Sequence, residues 1–358
     1  MQRHRSLHPQ ANQKCRKVSL IPELESFHVR AMPPVQGIDT PSGKRKFQRL
    51  LLGWYNLNKR DLPWRRQRDP YPIWVSEIML QQTRVNAVLE HYQRFLERFP
   101  KIENLVAARE ASVLAAWSGL GYYRRARMMH ATAKKIVKEY GGKFPPTEEG
   151  LRTLPGIGRY TAAAIASIAF GEPTAVVDGN VERVLQRLSG KPVPREQLWE
   201  SANAVLDGKR PGDFNQAMME LGATVCLPRG PLCSVCPVLK LCHARGEMAS
   251  DRASGRQQKR EISYVLARQK GTVFLVQRPM AESLMAGMWE LPEGQANPST
   301  NGTCLTLRHS ITVTDYTVRV MQGQIPENIS GIWVSETRLG KLPLTGLARK
   351  ILRAVEVM

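Results

Sequence analysis

The sequence predicts a mainly α-helical domain built as two lobes, followed by a smaller α+β domain. From residue 44 onward apolar residues recur at three- and four-residue spacing, as at Phe47, Leu50 and Trp54, which is the period of an amphipathic helix. A turn rich in glycine and proline separates two such helical patterns near residue 156. Beyond residue 260 the period changes to two, which is the period of β-strands.

These patterns divide the chain into four segments. Residues 1–43 are predicted to be a disordered basic extension, residues 44–245 the helical domain, residues 246–260 a polar linker and residues 261–358 the α+β domain. Within the helical domain, residues 71–174 are predicted to form one lobe, and the patterns on either side in sequence the other, with a cleft between them. A chain of 358 residues with 42% hydrophobic content is long enough for two separate cores.

The N-terminal segment carries Arg, Lys, His, Pro and Gln without helical or strand periodicity, and its first acidic residue is Glu23. It is interpreted as a disordered extension or as the result of start-site choice. A mitochondrial transit peptide is the alternative, although the segment has no convincing amphipathic face. The compartment expected by default is the bacterial cytoplasm, or the nucleus or mitochondrion if the chain is eukaryotic.

The charge of the chain favours a polyanionic partner. The formal net charge is +21, and nucleic acid is favoured over a membrane because no basic amphipathic anchor is evident. Ribosome-associated or merely well-solubilised proteins can be as basic, so charge alone does not identify DNA. No apolar run reaches transmembrane length, and we expect a soluble monomer that does not bind membranes.

The turn at residues 155–158 lies between two helical patterns. Gly156 and Gly158 permit a tight turn, and the helix predicted over residues 159–170 begins with free N–H groups that attract phosphate. This helix is small and apolar and should be buried, and it leads to Asp178. A carboxylate in that position is a catalytic candidate, whereas the alternative is a core hairpin in which Asp178 only caps a helix.

A second acidic candidate lies on a helix predicted to start at Asp69-Pro70. Glu77 stands among Trp74, Ile78 and other apolar residues, where burial should push the pKa of its carboxyl upward, toward that of a working acid. The alternative is an ordinary surface glutamate paired with Arg84.

Two aromatic segments are candidates for contact with nucleic acid. In residues 60–65 an exposed-looking Trp64 stands near arginines and is suited to stacking on a base, or else is a core anchor. In residues 119–125 glycines flank paired tyrosines and arginines, which makes Tyr122 a plausible minor-groove probe. The alternative for Tyr122 is a packed core tyrosine.

Four cysteines form a compact cluster, Cys226, Cys233, Cys236 and Cys242. Four thiolates so close together can hold one soft metal centre, and the prolines between them favour a loop. Structural zinc is one possibility, but zinc sites usually use two Cys-x-x-Cys pairs and only Cys233 and Cys236 form one. A [4Fe–4S] cluster is the other. The cluster of thiols indicates a reducing compartment.

The α+β domain begins with an alternating strand at residues 262–266, a turn at 269–271 and a returning strand at 272–276, which together predict a hairpin. Further strands are predicted within 305–321 and at 332–334, and a last helix over 345–356. No Asp or Glu occurs between Glu293 and Asp315, so the carboxylates that hold divalent metal in a pyrophosphate hydrolase are missing.

Together, L-P-G-I-G-x-Y-T-A at 154–162, V-D-G-N-V at 177–181, I-W-V-S-E-I-M-L-Q-Q-T at 73–83 and the four cysteines resemble the helix-hairpin-helix DNA glycosylases. The closer resemblance is to their MutY-type branch, which removes adenine opposite 8-oxoguanine or guanine. It is strong over residues 44–245 and weaker beyond. It implies a [4Fe–4S] cluster on the four cysteines, double-stranded DNA as partner, and a Nudix-like C-terminal domain, as indicated by A-G-M-W-E-L-P at 286–292.

The resemblance also implies roles for individual residues. Arg60, Leu62, Trp64 and Arg65 would line the pocket for the flipped adenine, with Glu220 near the base. Gln81 and Gln82 would enter the duplex, and Tyr122 would intercalate beside 8-oxoguanine. The hairpin residues Gly156 and Gly158, together with Asn180, would contact DNA. In the C-terminal domain the family reads the lesion with a Phe-Ser-His loop; the aligned stretch here is Ile311-Thr312-Val313, so Thr312 keeps a hydroxyl but no histidine aligns unless His309 replaces it.

The chemistry then expected is adenine excision. Glu77, protonated, would donate to N7 of the base, while ionised Asp178 would stabilise the developing sugar cation or assist water. Tyr160 occupies the hairpin position where related enzymes that also cut the strand carry a lysine, so we expect little strand cleavage. The rivals are an endonuclease III-like pyrimidine glycosylase with lyase activity, and a non-catalytic iron–sulfur protein that only grips DNA.

Overall fold

The computed structural model describes residues 38, 40–248, 258–282, 284–294, 303–311, 314–325 and 328–358. The helices in these ranges are α1 (Pro41–Asn58), α2 (Pro70–Leu80), α3 (Val85–Arg98), α4 (Ile102–Ala107), α5 (Glu110–Trp117), α6 (Tyr123–Tyr140), α7 (Glu148–Arg152), α8 (Arg159–Ala169), α9 (Gly179–Ser189), α10 (Arg195–Val205), α11 (Pro211–Thr224) and α12 (Gly346–Ala354). The strands are β1 (Gln258–Leu266), β2 (Arg268–Gln269), β3 (Thr272–Gln277), β4 (Trp289–Glu290), β5 (Thr303–Ile311), β6 (Thr314–Gln322) and β7 (Ile332–Ser335).

Helix α1 begins three residues earlier than the periodicity predicted. The Thr40 hydroxyl accepts a hydrogen bond from the Gly43 amide and Pro41 occupies the first turn, which is the arrangement of a capped helix start. Most of the predicted N-terminal extension lies outside the described residues, as does most of the predicted linker. The linker is shorter than predicted at its C-terminal end, because β1 already begins at Gln258.

The first lobe is built from α2 to α7. Their apolar faces form one core around Trp74, Phe95 and Trp117, which are all but inaccessible to solvent. Phe95 packs edge-to-face on Trp117, with ring centroids 6.0 Å apart. Apart from Met288 of the C-terminal domain, the buried residues of this core lie between Leu62 and Ala166, close to the lobe predicted for residues 71–174.

The second lobe is built from α1 and α9 to α11. Phe47 of α1 and Phe214 of α11 pack edge-to-face at its centre, 6.0 Å apart, and three of the four cysteines of the loop after α11 pack against the same core. The two lobes therefore combine distant segments of the chain, as predicted.

Helix α8 lies between the two lobes and belongs to both. Ala162, Ile165 and Ala166 are part of the first core, whereas Ala163 and Ala164 are part of the second. A helix apolar on all sides is stable only when it is buried on all sides. The run of small residues recognised in the sequence thus holds the lobes together and fixes the positions of the residues at the two ends of α8.

The C-terminal domain contains two sheets that enclose its own core with α12. One has the order β1-β6-β5, with β1 and β6 parallel and β5 and β6 antiparallel. In the other, β3 pairs with β2, β4 and β7. The predicted turn at Gln269–Gly271 exists, but the predicted hairpin partner was wrong, because β3 returns along the short β2 while β1 joins the other sheet. Periodicity gives the strands but not their partners.

The C-terminal domain packs directly on the first lobe. Met288 is completely buried within the core of that lobe rather than in its own. Arg127 of α6 donates a hydrogen bond to the Ala286 carbonyl. Among the described helices, none combines the length and apolarity needed to cross a membrane.

Candidate active site

A cavity of about 1480 Å³ lies between the two lobes and the C-terminal domain. It is larger than the ~300–1,000 Å³ typical of sites that enclose a small ligand, so it has room for a nucleotide together with part of a larger ligand. Of the residues singled out from the sequence, it is lined by Arg60, Leu62, Trp64, Arg65, Glu77, Gln81, Gln82, Tyr122, Gly156, Tyr160, Asp178, Asn180 and Glu220.

Glu77 lies on α2 facing this cavity and is 5% exposed. The pKa of its carboxyl is raised to about 7, mainly by burial and in smaller part by the negative charge of Asp178, while the hydrogen bond from Tyr160 opposes the shift. The carboxyl can therefore hold a proton near neutral pH, as a general acid must. The interpretation of Glu77 as a surface residue paired with Arg84 is excluded by its burial.

Tyr160, in the first turn of α8, contacts Glu77 directly. Its hydroxyl donates to Glu77 Oε2 over 2.8 Å, and a second contact of 3.5 Å reaches Met219 Sδ. Burial, with the neighbouring carboxylates Glu77 and Asp178, raises the pKa of the phenol well above its ordinary value. Tyr160 thus remains a neutral hydrogen-bond donor that fixes the orientation of Glu77.

Asp178 is the N-cap of α9 and also lines the cavity. Its Oδ1 accepts hydrogen bonds from the backbone amides of Asn180 and Val181 at 2.9 and 2.8 Å, and its Oδ2 accepts one from the Asn180 side chain at 2.8 Å. These donors, at the positive end of the helix dipole, stabilise a negative charge. The capping interpretation is therefore correct, and it is compatible with a place in the site.

The Asn180 side chain is hydrogen-bonded to two neighbouring side chains. Its amide group donates to Asp178 and its carbonyl accepts from Arg183 Nη2 at 2.9 Å. The expectation that Asn180 contacts DNA is untested, but its observed contacts orient Asp178.

Glu220 forms the buried centre of a charged network with Arg60 and Arg65. Its side chain is completely inaccessible, and its two oxygens accept four hydrogen bonds, three from Arg60 and one from Arg65, at 2.7–2.9 Å. Burial alone would raise the pKa of Glu220, but these hydrogen bonds outweigh it and lower the pKa to about 2. Glu220 is neither a surface charge nor free to bind a ligand through unused oxygens. It holds two arginines at the cavity wall.

Trp64 follows Leu62 in a single 3₁₀ turn, Pro63–Arg65. It was expected to be exposed, but it is only 6% exposed because its ring packs edge-to-face on Tyr92 at 5.3 Å. Leu62 is also buried. Both belong to the first core while lining the cavity, so the segment forms a rigid wall rather than a mobile stacking arm.

Two turns border the cavity, one at Gln82 and one at Tyr122, and these are called the probe turns below. Both residues have left-handed backbone conformations, with φ of 55° and 48°, which are costly for residues other than glycine. The Tyr122 side chain is 47% exposed. Such strain at two exposed side chains beside a cavity is typical of functional positions. Gln81, next to the first turn, contacts Thr161 of α8 at 3.3 Å instead.

Arg125 joins the two probe turns. Its guanidinium donates to the carbonyls of Ile78, Met79 and Gln81 before the first turn, and to those of Leu120 and Gly121 before the second. It also lies over the rings of Trp117 and Tyr122, at 5.5 and 5.2 Å. Only the planar five-donor fork of arginine can serve so many acceptors at once.

The glycine turn precedes α8 as predicted. Gly156 has φ of 76°, a conformation that a side chain would strain. Gly158 is the N-cap of α8 and supplies no side-chain cap, so the helix begins with amides directed outward. Gly158 borders a smaller hollow beside the main cavity, together with Arg159. A helix start of this kind is suited to phosphate.

The comparisons with known proteins agree with this geometry. The model of the HhH-GPD superfamily of base excision DNA repair proteins matches residues 75–203. A solved structure described as a thermostable thymine-DNA glycosylase is 32% identical, with a TM-score of 0.53, and the match covers 56% of this chain and 96% of that one. The chain belongs to the helix-hairpin-helix glycosylase superfamily.

Curated relatives of this chain are named adenine DNA glycosylase. The mouse protein is 42% identical over 316 residues, a match that covers 71% of this chain and 61% of the mouse protein. The human protein is 50% identical over 226 residues, covering 58% of this chain and 41% of the human protein. The chain thus spans about half the length of the curated relatives it matches.

The cysteine loop is consistent with a thiolate-held group. None of the four thiols, Cys226, Cys233, Cys236 and Cys242, forms a disulfide. The pKa of the Cys236 thiol is raised to about 11, mainly by burial and in smaller part by the three neighbouring thiols. In the described ranges no three Cys, His, Asp or Glu side chains are arranged to hold a metal ion. An iron–sulfur cluster at these four cysteines is consistent with the family.

Several contacts in the loop nevertheless suit a thiolate-bound group. Arg187, a buried cation on α9, donates to Cys226 Sγ at 3.2 Å and to the Leu227 carbonyl at 2.7 Å. Burial raises the pKa of the Cys242 thiol, and hydrogen bonding by the backbone of Arg245 and Ala244 opposes that shift. Hydrogen bonds to sulfur stabilise thiolates and tune iron–sulfur clusters. The donor set thus fits the cluster that the resemblance implies.

Two arginines that organise the site and the cysteine loop were not identified from the sequence. Arg125 was noted only as one of the arginines within residues 119–125, and Arg187 was not singled out, although an arginine on the apolar face of an amphipathic helix is a signal of a buried partner. Thr312 lies outside the described residues. The neighbouring His309, Ser310 and Ile311 line the cavity.

Proposed function

We propose that this protein is a DNA glycosylase that hydrolyses the N-glycosyl bond of adenine mispaired with 8-oxoguanine or guanine. The observation that carries the proposal is the pair of carboxyls in one cavity: Glu77, with its pKa raised to about 7, and Asp178, held by three hydrogen-bond donors. One is suited to protonate a leaving base and the other to stabilise a cationic sugar.

The reaction needs a better leaving group and a less costly cation. Glu77 donates its proton to N7 of the flipped adenine while Tyr160 keeps the carboxyl oriented. The charge of Asp178 stabilises the oxocarbenium ion that develops as the bond to the sugar breaks, and it can then accept a proton from the attacking water. Arg60 and Arg65, fixed by Glu220, border the pocket where the base is read.

The names of the relatives support adenine as the base. Adenine is named for the mouse and human proteins, whereas the matched solved structure is named for thymine. Thymine opposite guanine is therefore the second candidate substrate. The two differ at the position that Glu77 would protonate, since thymine has no N7.

Double-stranded DNA is the proposed partner, bound as a monomer. The net charge of +21 and the probe turns at Gln82 and Tyr122 support a duplex that is opened at the mispair. Flipping a base costs a few kcal/mol, which pocket contacts and inserted side chains offset. The segment around Thr312, with His309, is proposed to face 8-oxoguanine. We propose the cytoplasm or nucleus as the compartment.

The four cysteines are proposed to hold a [4Fe–4S] cluster. When bound, such a cluster supplies a rigid anchor for the loop. The chain's own Arg229, Lys240 and Arg245 then lie on a fixed basic surface that can bind the DNA backbone. The domain boundaries given from the sequence, with the helical glycosylase domain ending near residue 245, are part of the same proposal.

The protein is proposed to leave the DNA strand intact. A tyrosine at position 160 cannot form the Schiff base that a lysine there forms in the lyases, which argues against the endonuclease III-like alternative. A borohydride trapping assay tests this, because a covalent adduct with the abasic product would contradict it. A protein that only grips DNA would have no need of the buried Glu77.

The deciding experiment compares wild type with Asp178→Asn on duplexes that contain A opposite 8-oxoguanine, A opposite G, A opposite T, or T opposite G. Asparagine caps helices about as well as aspartate, so the variant should fold and bind the duplex but excise no base. Asp207→Asn is the matched control, since Asp207 also accepts backbone amides two and three residues ahead but does not line the cavity. Turnover by Asp178→Asn, or release of thymine in place of adenine, would contradict the proposal.

A further inference from the structure

The Tyr122 turn is anchored at both ends to a single carbonyl of the C-terminal domain. Ser118 stands just before the turn and Tyr123 just after it. The Ser118 hydroxyl donates to the Leu344 carbonyl at 2.7 Å, and the Tyr123 hydroxyl donates to the same oxygen at 3.1 Å. All these groups are buried, so the hydrogen bonds are shielded from water and costly to lose.

The acceptor itself is held firmly. Leu344 is completely buried, and the amides and carbonyls of its neighbours are bonded to Trp289: the Trp289 amide donates to the Pro343 carbonyl and the Thr345 amide donates to the Trp289 carbonyl, both at 2.9 Å. Arg349 of α12 adds a third contact by donating from Nε to the Ser118 hydroxyl at 3.0 Å.

The turn between the anchors has little rigidity of its own. Gly119 and Gly121 have φ of 111° and 69°, and Tyr122 is held at 48°. Glycines leave a free chain many alternatives, and a non-glycine residue keeps a left-handed conformation only where its surroundings impose it. Anchors on both sides of a four-residue segment supply that constraint.

We infer that the C-terminal domain positions the Tyr122 probe, through hydrogen bonds from Ser118 and Tyr123 to Leu344 and from Arg349 to Ser118. This inference rests on the proposed function, in which Tyr122 enters the duplex. Ser118, Tyr123 and Arg349 touch neither base nor sugar in this arrangement. They are positioning residues, and the C-terminal domain assists excision even where it reads no base.

The competing explanation is that these contacts only hold two domains together. The two explanations differ in whether the effect of Tyr123→Phe on excision depends on the Tyr122 side chain. If the Tyr123 hydroxyl acts by positioning Tyr122, its removal should not slow excision once the Tyr122 side chain is absent. If the hydroxyl only joins the two domains, its removal should slow excision by the same factor whether or not the Tyr122 side chain is present.

The test is a double-mutant cycle on single-turnover excision of adenine opposite 8-oxoguanine. Tyr123→Phe and Ser118→Ala each should slow excision about three- to tenfold, which is the effect of one lost buried hydrogen bond. In a Tyr122→Ala background, Tyr123→Phe should slow it no further. Arg349→Lys should also slow excision, while its matched control Arg353→Lys, an exposed arginine on the same helix, should not.

A second readout follows the probe without chemistry. A 2-aminopurine next to the mispair should brighten on binding wild type and brighten less with Tyr123→Phe or Ser118→Ala. Equal losses from Tyr123→Phe with and without the Tyr122 side chain, or no loss from either variant, would overturn the inference. Wild type that excises no adenine would instead defeat the proposed function, and the fluorescence comparison would still decide whether Tyr123 and Ser118 position the probe.

Discussion

Replacing Glu77 with glutamine should make the protein more stable at alkaline pH. Burial raises the pKa of Glu77 from 4.5 to about 7, a difference of about 2.5, which corresponds to about 3 kcal/mol at 1.36 kcal/mol per pKa unit. Below pH 4.5 the carboxyl is protonated in the folded and unfolded chains alike. As pH rises toward 7 the unfolded chain ionises first, so the free energy of unfolding falls.

Glutamine has nearly the same shape, still accepts the Tyr160 hydroxyl and never ionises. The difference in unfolding free energy between Glu77→Gln and wild type should therefore grow by about 2 kcal/mol between pH 5.5 and 8.5. Urea unfolding at several pH values measures it, with Glu200→Gln as the control for removal of an exposed carboxylate. A difference that stays constant over this range would refute the assignment of Glu77 as a buried acid. The same variant should excise no adenine.

Three further changes test other parts of the site. Tyr160→Phe removes the hydrogen bond that lowers the pKa of Glu77, so the alkaline limb of the excision rate should move to higher pH; a pH–rate profile that does not move would contradict this. Glu220→Ala should lower the free energy of unfolding by about 3 kcal/mol, because Arg65, 10% exposed, would be left as an unpaired buried charge. Denaturant unfolding measures this free energy. A loss below about 1 kcal/mol would argue that water replaces the carboxylate. Arg125→Lys should slow excision from a mispaired duplex about tenfold but hardly affect adenine in an unpaired strand; equal losses on both substrates would indicate a defect in chemistry.

Local patterns in the sequence were sufficient for much of the fold. Helix α8, nearly all small and apolar, was predicted to be buried, and its alanines do belong to the cores of both lobes. Glu77 among large apolar neighbours predicted a buried acid, because burial depends mostly on residues nearby on the same helix. Asp178 before Gly179 indicated a helix start with equal clarity.

Contacts between distant segments could not be predicted in the same way. Glu220 resembles a surface charge in its own helix, and its partner Arg60 lies 160 residues away. The pairing of β1 with β6 rather than β3 depends on the packing of the whole C-terminal domain. Trp64 was expected to be exposed because its neighbours are charged, yet Tyr92 from another helix covers it.

The capping and catalytic interpretations of Asp178 are not alternatives. A helix start fixes its cap within a fraction of an ångström, because two backbone amides determine where Oδ1 must lie. The same N–H donors would stabilise a negative charge on Asp178, whereas burial raises the pKa of the neighbouring Glu77 to about 7. In the proposed reaction, two identical functional groups in one cavity would perform opposite tasks, because one is surrounded by apolar side chains and the other by N–H donors. A pocket that placed both in the same surroundings would lose either the acid or the stabilising charge.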